Sequence, residues 1–94
     1  MTIKIGEETF NLKYNNKALF KIEEQLDTSV IKLFENEEEI SKAKTIYVIV
    51  HSGIEEEISF DDFCEKFNIN EVIKVLPDVL TEVVNVFDTG SKKK

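Results

Sequence analysis

The sequence lacks several features that would place the protein outside a reducing, aqueous compartment. It has one cysteine, Cys64, so no disulfide can form within the chain, and a reducing cytoplasm is the expected setting. No run reaches the roughly 18 apolar residues that a membrane-spanning helix needs. The first residues also lack the basic and then apolar layout of a signal peptide. We therefore expect a cytoplasmic protein.

Positive charge is scarce as well. The chain has 12 Lys and Arg residues against 19 Asp and Glu residues, which gives a net charge of −7. Because phosphate contacts require clustered Lys or Arg, this balance argues against a nucleic-acid partner. It also argues against binding to an anionic membrane. The partner we expect is another protein.

What the chain does have is enough apolar surface for one small core. Its 94 residues are 41% apolar and 10% aromatic, which is typical of a folded protein rather than a disordered tail. A chain of this length buries roughly 60–68% of the surface that its unfolded state exposes, so a single core is feasible without disulfide or metal cross-links. We predict one domain over residues 1–90 and a disordered basic tail over 91–94.

Residues 2–14 alternate between apolar and polar side chains, which predicts a β-hairpin. Pairing Ile5 with Phe10 and Ile3 with Leu12, across a four-residue turn, puts these apolar side chains on one face. A slip of one residue would divide them between the two faces. Such a hairpin is not stable alone, so we expect helices against its apolar side.

Helical patterns follow the hairpin. Asn15 or Asn16 can cap a first amphipathic helix. Ser59 with Asp62 resembles a capping box at the start of a later, Phe-rich helix. The acidic stretch ENEEE is interpreted as a charged surface connection, and Asn70 can cap the last element. The predicted fold is α+β, a hairpin at about 2–14 followed by four to five helices at about 16–27, 29–35, 41–52, 60–68 and 71–88 in one small, mainly helical domain.

The stretch TIYVIVHSGI, Thr45–Ile54, fits two structures. Its β-branched run is typical of a buried strand. Apolar residues also recur at i, i+3, i+4 and i+7 from Ala43, with Ser41 as a candidate N-cap and Gly53 where a left-handed C′ residue is wanted. We favour a helix that is packed on several sides, because it is apolar almost all round. A strand is the alternative.

The last apolar segment, EVIKVLPDVLTEVVNVFD at 71–88, predicts a helix with a wide apolar face. At 100° per residue, its large apolar side chains fall in one half of the helix and its polar residues in the other. Pro77 disfavours a helix by about 3 kcal/mol, but it lies on the polar half and the pattern continues through it, so we predict one bent helix. A face wider than the usual ~100° indicates deep packing or contact with another chain.

Residues that carry chemistry are few. His51 stands beside Ser52, but sequence neighbours do not face each other on a helix, so we interpret His51 as a helix-end residue. Cys64 lies on a Phe-lined face and is expected to be inert. The acidic runs at 37–39 and 55–57 lack the alternating oxygens and central glycine of a calcium loop. We predict no enzyme, no cofactor and no metal site.

Two other functions are alternatives. The stretch DTSV, Asp27–Val30, approaches the Asp-Ser-Leu motif of phosphopantetheine carriers, but the serine is one residue out of phase and the leucine is missing. An N-cap at Thr28 or Ser29 is the simpler explanation. The second alternative is a small acidic inhibitor that mimics DNA. It requires negative charge along one face, whereas lysines are interspersed along most of this chain.

The order of these features resembles a known family. The opening TIKIGEETFNLKYNNKALFKIEEQL is similar to the start of tail assembly chaperones of long-tailed bacteriophages of Gram-positive hosts or their prophages, where a β-hairpin runs into the first helix. IYVIVHSGI resembles a helix end of that family, followed by an acidic connector and SFDDF. The likeness covers most of residues 2–88. In place of the family's usual small residues before the glycine, this chain has Val50, His51 and Ser52.

The resemblance implies a function without catalysis. Such proteins bind the long, largely helical tape-measure protein and keep it soluble in the host cytoplasm while tail-tube subunits assemble around it. They are absent from the mature virion. Many are made in two lengths through a ribosomal frameshift. The run KKK at 92–94 is compatible with a slippery codon run and equally compatible with a solubilising tail.

Composition and resemblance lead to one hypothesis about the site. Apolar surface on the last helix would shield apolar stripes of the client, and the net charge of −7 would keep the complex dispersed. We predict Val79, Val83, Val86 and Phe87 as partner-binding residues. The expected partner is the tape-measure protein, with the tail-tube subunit or a second copy of the chain as further candidates.

Overall fold

The chain folds as an antiparallel β-hairpin followed by helices, in a computed structural model that describes the backbone of residues 1–91 and the side chains of residues 1–86. The elements are β1 (Thr2–Ile5), β2 (Glu8–Asn11), α1 (Asn16–Leu26), α2 (Val30–Phe34), α3 (Glu37–Ile40), α4 (Ala43–Ser52), α5 (Phe60–Lys66) and α6 (Ile69–Ser91). The predicted α+β class is confirmed.

The hairpin has the predicted apolar face but a different register. Ile3 lies opposite Phe10, and Ile5 lies opposite Glu8, so the predicted pairs Ile5–Phe10 and Ile3–Leu12 are wrong by two residues. Side chains alternate with a period of two, so a shift of two leaves the same residues on the same face. Ile3, Ile5, Phe10 and Leu12 are all buried.

The length of the turn explains the register. Only Gly6 and Glu7 connect the paired strands, where the sequence pattern predicts four residues. Gly6 has a φ of 61°, which a two-residue hairpin turn of the II′ kind requires at its first central position. The pairing continues past β1, because the Leu12 N–H donates to the Met1 carbonyl at 2.7 Å. The tight turn therefore sets the register of the whole hairpin.

α4 is the central helix of the fold, which confirms the helical interpretation of the ambiguous stretch. It packs against α1, α3, α5 and α6, and its buried residues occur on several sides. Two predicted details are wrong. Lys42, not Ser41, holds the N-cap position, because Ser41 already ends α3. Gly53 has a φ of −94° and a ψ of −7°, so it is not left-handed.

The packing around Gly53 leaves no room for a side chain at this position. A Cβ at this position would overlap the ring of Tyr14, with Cζ and Cε2 as its nearest atoms. The ring is held there because the Tyr14 hydroxyl donates to the Ile49 carbonyl at 2.6 Å. Tyr14, three residues after the end of β2, is thereby fixed against the C-terminal end of α4.

Tyr14 makes the free energy of unfolding fall at alkaline pH. Burial raises the pKa of its phenol above the ordinary 10.0, and the Glu82 carboxylate adds to the rise, while the backbone hydrogen bond at Gly53 opposes it. A raised folded-state pKa contributes stability that is complete below about pH 10 and is lost as pH rises through the folded-state pKa. In that window the Tyr14 phenol is ionised in the unfolded chain but not in the folded one. This difference lowers the free energy of unfolding by about 1.4 kcal/mol per pH unit.

We expect Tyr14→Phe to be less stable than the wild type at neutral pH by about 1 kcal/mol, because it loses the bond to Ile49. Its disadvantage should shrink above about pH 10, because Phe has no proton to release. Urea unfolding at several pH values from about 8 to 11 measures both effects. A variant that loses stability with pH as steeply as the wild type would contradict this account.

The sequence pattern predicts that the acidic stretch before α4 is a surface connection, and this prediction is wrong. It forms the short helix α3, because the Asn36 side chain accepts hydrogen bonds from the backbone N–H groups of Glu38 at 3.1 Å and Glu39 at 3.3 Å. Glutamates in the first turn also interact favourably with the helix dipole. This helix places Ile40 opposite α6, where it lines a groove.

The caps of the last two helices explain where they begin. Ser59 accepts a hydrogen bond from the Asp62 N–H at 3.1 Å, which confirms its predicted role. Before α6, the Asn68 side chain accepts from the Glu71 N–H at 3.0 Å, and the Glu71 carboxylate accepts from the Asn68 N–H at 3.1 Å. This reciprocal capping box replaces the predicted cap at Asn70.

α6 runs without interruption through Pro77, so the prediction of one helix is confirmed. It starts at Ile69 and ends at Ser91, beyond the predicted range of 71–88 at both ends. Of the predicted tail at 91–94, Ser91 belongs to α6, and residues 92–94 lie outside the part of the chain that the structure describes.

Candidate functional site

The apolar half of α6 divides into two stripes that differ in solvent exposure. The first is the buried stripe, defined by Val72, Val75, Val79 and Val83. The second is the outer stripe, defined by Ile73, Leu76, Leu80 and Val84. At 100° per residue, the outer stripe is rotated by roughly 100° from the buried one. Core packing therefore uses about half of the wide apolar face that the sequence predicts.

The predicted partner-binding residues do not form one surface. Val79 and Val83 are both 0% exposed and belong to the domain's own core. Val86 is partly buried and packs against that core. Phe87 belongs to α6, but its side chain lies outside the described part of the chain. In this conformation Val79 and Val83 have no surface to offer to another protein.

The described apolar surface of α6 is the outer stripe. Ile73 is 44% exposed and Val84 is 37% exposed, while Leu76 and Leu80 are partly buried. The four residues recur over about three turns, roughly 16 Å along the helix axis. A continuous aliphatic strip of this length is available to another chain.

Three residues of the outer stripe, Ile73, Leu76 and Leu80, form one wall of a groove. Part of the opposite wall comes from α3 and the start of α4, which contribute Ile40 and Ile46. The groove has a volume of about 450 Å³, within the range of roughly 300–1,000 Å³ that is usual for binding sites. Its lining residues are Glu37, Ile40, Ser41, Ile46, Ile73, Leu76 and Leu80. Such a surface binds apolar groups and offers little to a polar ligand.

Charge at the groove is confined to one side. Glu37 lines it from the first turn of α3, and no described side chain forms an ion pair with it. Glu39 is paired with Lys42 at 2.8 Å, and both of these side chains are largely exposed. Ser41 donates its hydroxyl hydrogen to the Glu38 carbonyl at 2.8 Å, within α3. Glu37 is thus the lining residue that remains available to a ligand's charge.

Sequence periodicity could not find this groove for two reasons. A helical wheel shows which side chains are apolar, but the positions of α4 and β1 decide which of them are covered. Ile40 follows a run of glutamates, in a segment too short to show helical periodicity. The available signal was the width of the apolar face, which exceeds what one core contact needs.

His51 has a packing role at the end of α4. Its Nε2 atom lies 2.6 Å from the Ile58 carbonyl, so Nε2 carries the proton. Its ring contacts Phe60 and Phe63, each with a centroid distance of 5.6 Å. The neighbouring Ser52 donates to the Val48 carbonyl at 2.7 Å. His51 and Ser52 therefore interact with different groups, as expected for neighbours on a helix.

The remaining candidates for chemistry also have structural surroundings. Burial raises the pKa of the partly buried Cys64 thiol, and the Asp61 carboxylate raises it further, which lowers the thiolate fraction. Ser29 accepts a hydrogen bond from the Lys32 N–H at 3.1 Å as the N-cap of α2. Within the described residues, no three His, Cys, Asp or Glu side chains cluster so that they could hold a metal ion.

Among the described residues, no helix combines the length and the apolar character needed to cross a membrane. Comparison of the chain with protein-family models, with curated proteins and with solved structures finds no match.

Proposed function

We propose that this protein is a non-enzymatic chaperone that binds an amphipathic helix of a client protein in the groove between α6 and α3. We propose further that the client is the tape-measure protein of a phage tail, which the chaperone keeps soluble in the host cytoplasm, and that the chaperone is not part of the mature virion. The observation that carries the binding is the groove, an aliphatic surface left beside a complete core. The sequence resemblance supports the choice of client.

The shape of the groove favours a helix as its occupant. The outer stripe presents residues at i, i+3, i+7 and i+11 from Ile73. Helices pack by inserting ridges of side chains into such rows, and amphipathic helices bind grooves through anchors at i, i+3, i+4 and i+7. Removing the aliphatic surface from water contributes roughly 25 cal/mol per Å², so both partners gain by contact.

The charge of the protein supports a solubilising role. A net charge of −7 disfavours self-association of the complex. A client helix that would otherwise aggregate through its apolar stripe is then covered by a charged domain, which keeps the complex in solution. This mechanism needs neither a catalytic residue nor a cofactor.

The test is a single charge placed in the groove. Ile73→Asp adds a carboxylate to the outer stripe at an exposed position, so the domain should remain folded. Burial of that carboxylate against a client helix is unfavourable, and we expect affinity to fall at least about tenfold. Co-expression with the tape-measure protein encoded in the same genome, followed by measurement of the soluble tape-measure fraction, reports the loss.

The matched control is Thr81→Asp, which adds the same charge to an exposed position on α6 that does not line the groove. It should keep the tape-measure protein soluble. Circular dichroism confirms that both variants are folded. Equal solubilisation by the wild type and Ile73→Asp, or equal loss in both variants, would reject the groove as the client site.

A further inference from the structure

We infer that the helix bound in this groove carries a basic side chain at one edge of its apolar stripe, placed against Glu37. This inference rests on the proposed function and names the chemistry of the partner that the groove selects. It follows from three features: the unpaired charge of Glu37, the uncharged and basic residues beside the outer stripe on the opposite rim, and the sign of the protein's net charge.

Glu37 forms no ion pair within the described part of the domain. Of the described residues that line the groove, Glu37 alone is charged. Its neighbour Glu39 is already paired with Lys42, and neither Lys42 nor Lys44 lines the groove. A helix that fills the groove removes water from around Glu37, and a Lys or Arg on that helix compensates for the lost hydration.

The far rim of the groove differs in charge from the side that carries Glu37. Beside the outer stripe on α6, the exposed Pro77 is uncharged, and the exposed Lys74, which follows Ile73, is basic. The charge preference of the groove is therefore one-sided. It constrains one edge of the client helix and also its direction along the groove.

A second copy of this chain is a poor occupant. Each copy carries a net charge of −7, to which Asp78 and Glu82 on the polar side of α6 contribute. Two copies placed groove to helix would bring charges of the same sign together, which disfavours association. A basic-edged helix from a different protein is attracted instead. The electrostatic term therefore selects against self-association and for a client of opposite charge.

Two synthetic peptides test the inference. Both have about 18 residues and the same leucine stripe at i, i+3, i+4 and i+7, with lysines at the edge of the stripe in one and glutamates in the other. We expect the wild-type protein to bind the lysine peptide about tenfold more tightly at low salt, with the difference falling as salt increases. Fluorescence anisotropy of labelled peptides measures both affinities.

Variants of α3 distinguish a local contact from net charge. Glu37→Lys should reverse the preference, so that the glutamate peptide binds more tightly. Glu38→Lys makes the same change in net charge at a neighbouring exposed residue that does not line the groove, and should keep the wild-type preference. Equal effects of the two variants would overturn the contact with Glu37.

The peptides also separate this inference from the function on which it rests. If the wild type binds both peptides equally and Ile73→Asp abolishes the binding, the groove function is supported and the charge selection is overturned. If neither peptide binds in a way that depends on Ile73, both the groove function and the charge selection are overturned.

Discussion

Val83→Asp is expected to unfold the domain, whereas Val84→Asp, one residue further along α6, is expected to leave it folded. Val83 is 0% exposed and belongs to the buried stripe. Val84 is 37% exposed and belongs to the outer stripe. The two substitutions are chemically identical and occur on the same helix, so the difference between them measures which stripe faces the core.

The expected difference is large because an unpaired carboxylate cannot be hydrated inside the core. Among the residues whose side chains the structure describes, no Lys or Arg is buried. Burying a lone charge costs several kcal/mol or forces the carboxyl group to stay protonated. A small domain has only about 5–15 kcal/mol of total stability, so a loss of about 4 kcal/mol or more removes most of it. At Val84 the carboxylate reaches water, and the cost is limited to about 1 kcal/mol of helix propensity and lost packing.

Circular dichroism and urea unfolding of the two variants give the result directly. The Val83 variant should lose its helical signal or unfold at much lower urea, and its client binding should fail for that reason. The Val84 variant should keep the wild-type free energy of unfolding within about 1 kcal/mol. A folded Val83 variant with an unfolded Val84 variant would show that the two stripes have been assigned to the wrong sides.

The comparison of Val83 with Val84 also shows how far the sequence can predict the site. Helical spacing correctly places both residues on the apolar half of one continuous helix. It cannot tell which of them faces α4 and β1, because that depends on the orientation of α6 against elements that are distant in sequence. Val79 and Val83 were therefore predicted as binding residues although they form part of the core.

The hairpin and α3 show the same limit on a smaller scale. The alternation of Ile3 and Ile5 is enough to predict the buried face, since that face depends on period alone. The register depends on the conformation of two turn residues at Gly6, and a shift of two leaves the pattern unchanged. In α3, one side chain, Asn36, provides the cap that turns an acidic connection into a helix. Local details of this kind are not visible in periodicity.

The second large effect is expected at Gly53, where a single methyl group should cost about 3 kcal/mol. The backbone at Gly53 has a φ of −94° and a ψ of −7°, in the bridge region that residues with a side chain also occupy in type I turns. Replacement of a glycine by alanine in such a conformation normally stabilises a protein by about 0.4–1 kcal/mol, because it restricts the unfolded chain. Here the added Cβ overlaps the Tyr14 ring, so the sign should reverse.

The magnitude combines two losses. Displacing a packed aromatic ring to admit a methyl group typically costs about 1–3 kcal/mol. The displaced ring also loses its hydrogen bond to the Ile49 carbonyl, which contributes about 1 kcal/mol. Because Tyr14 joins the end of the hairpin to α4, its displacement should also loosen the bridge between Leu12 and Ile54.

A double-mutant cycle with Tyr14→Leu isolates the clash as the cause. The atoms nearest to the added Cβ are the distal ring atoms Cζ, Cε1 and Cε2, which leucine lacks. In the Tyr14→Leu background, Gly53→Ala should change the free energy of unfolding by less than about 1 kcal/mol, and it should do so in the stabilising direction. Urea unfolding of the four proteins gives the coupling energy. If Gly53→Ala costs the same in both backgrounds, the glycine is needed for some reason other than the approach of Tyr14, and the proposed attachment of the hairpin to α4 fails with it.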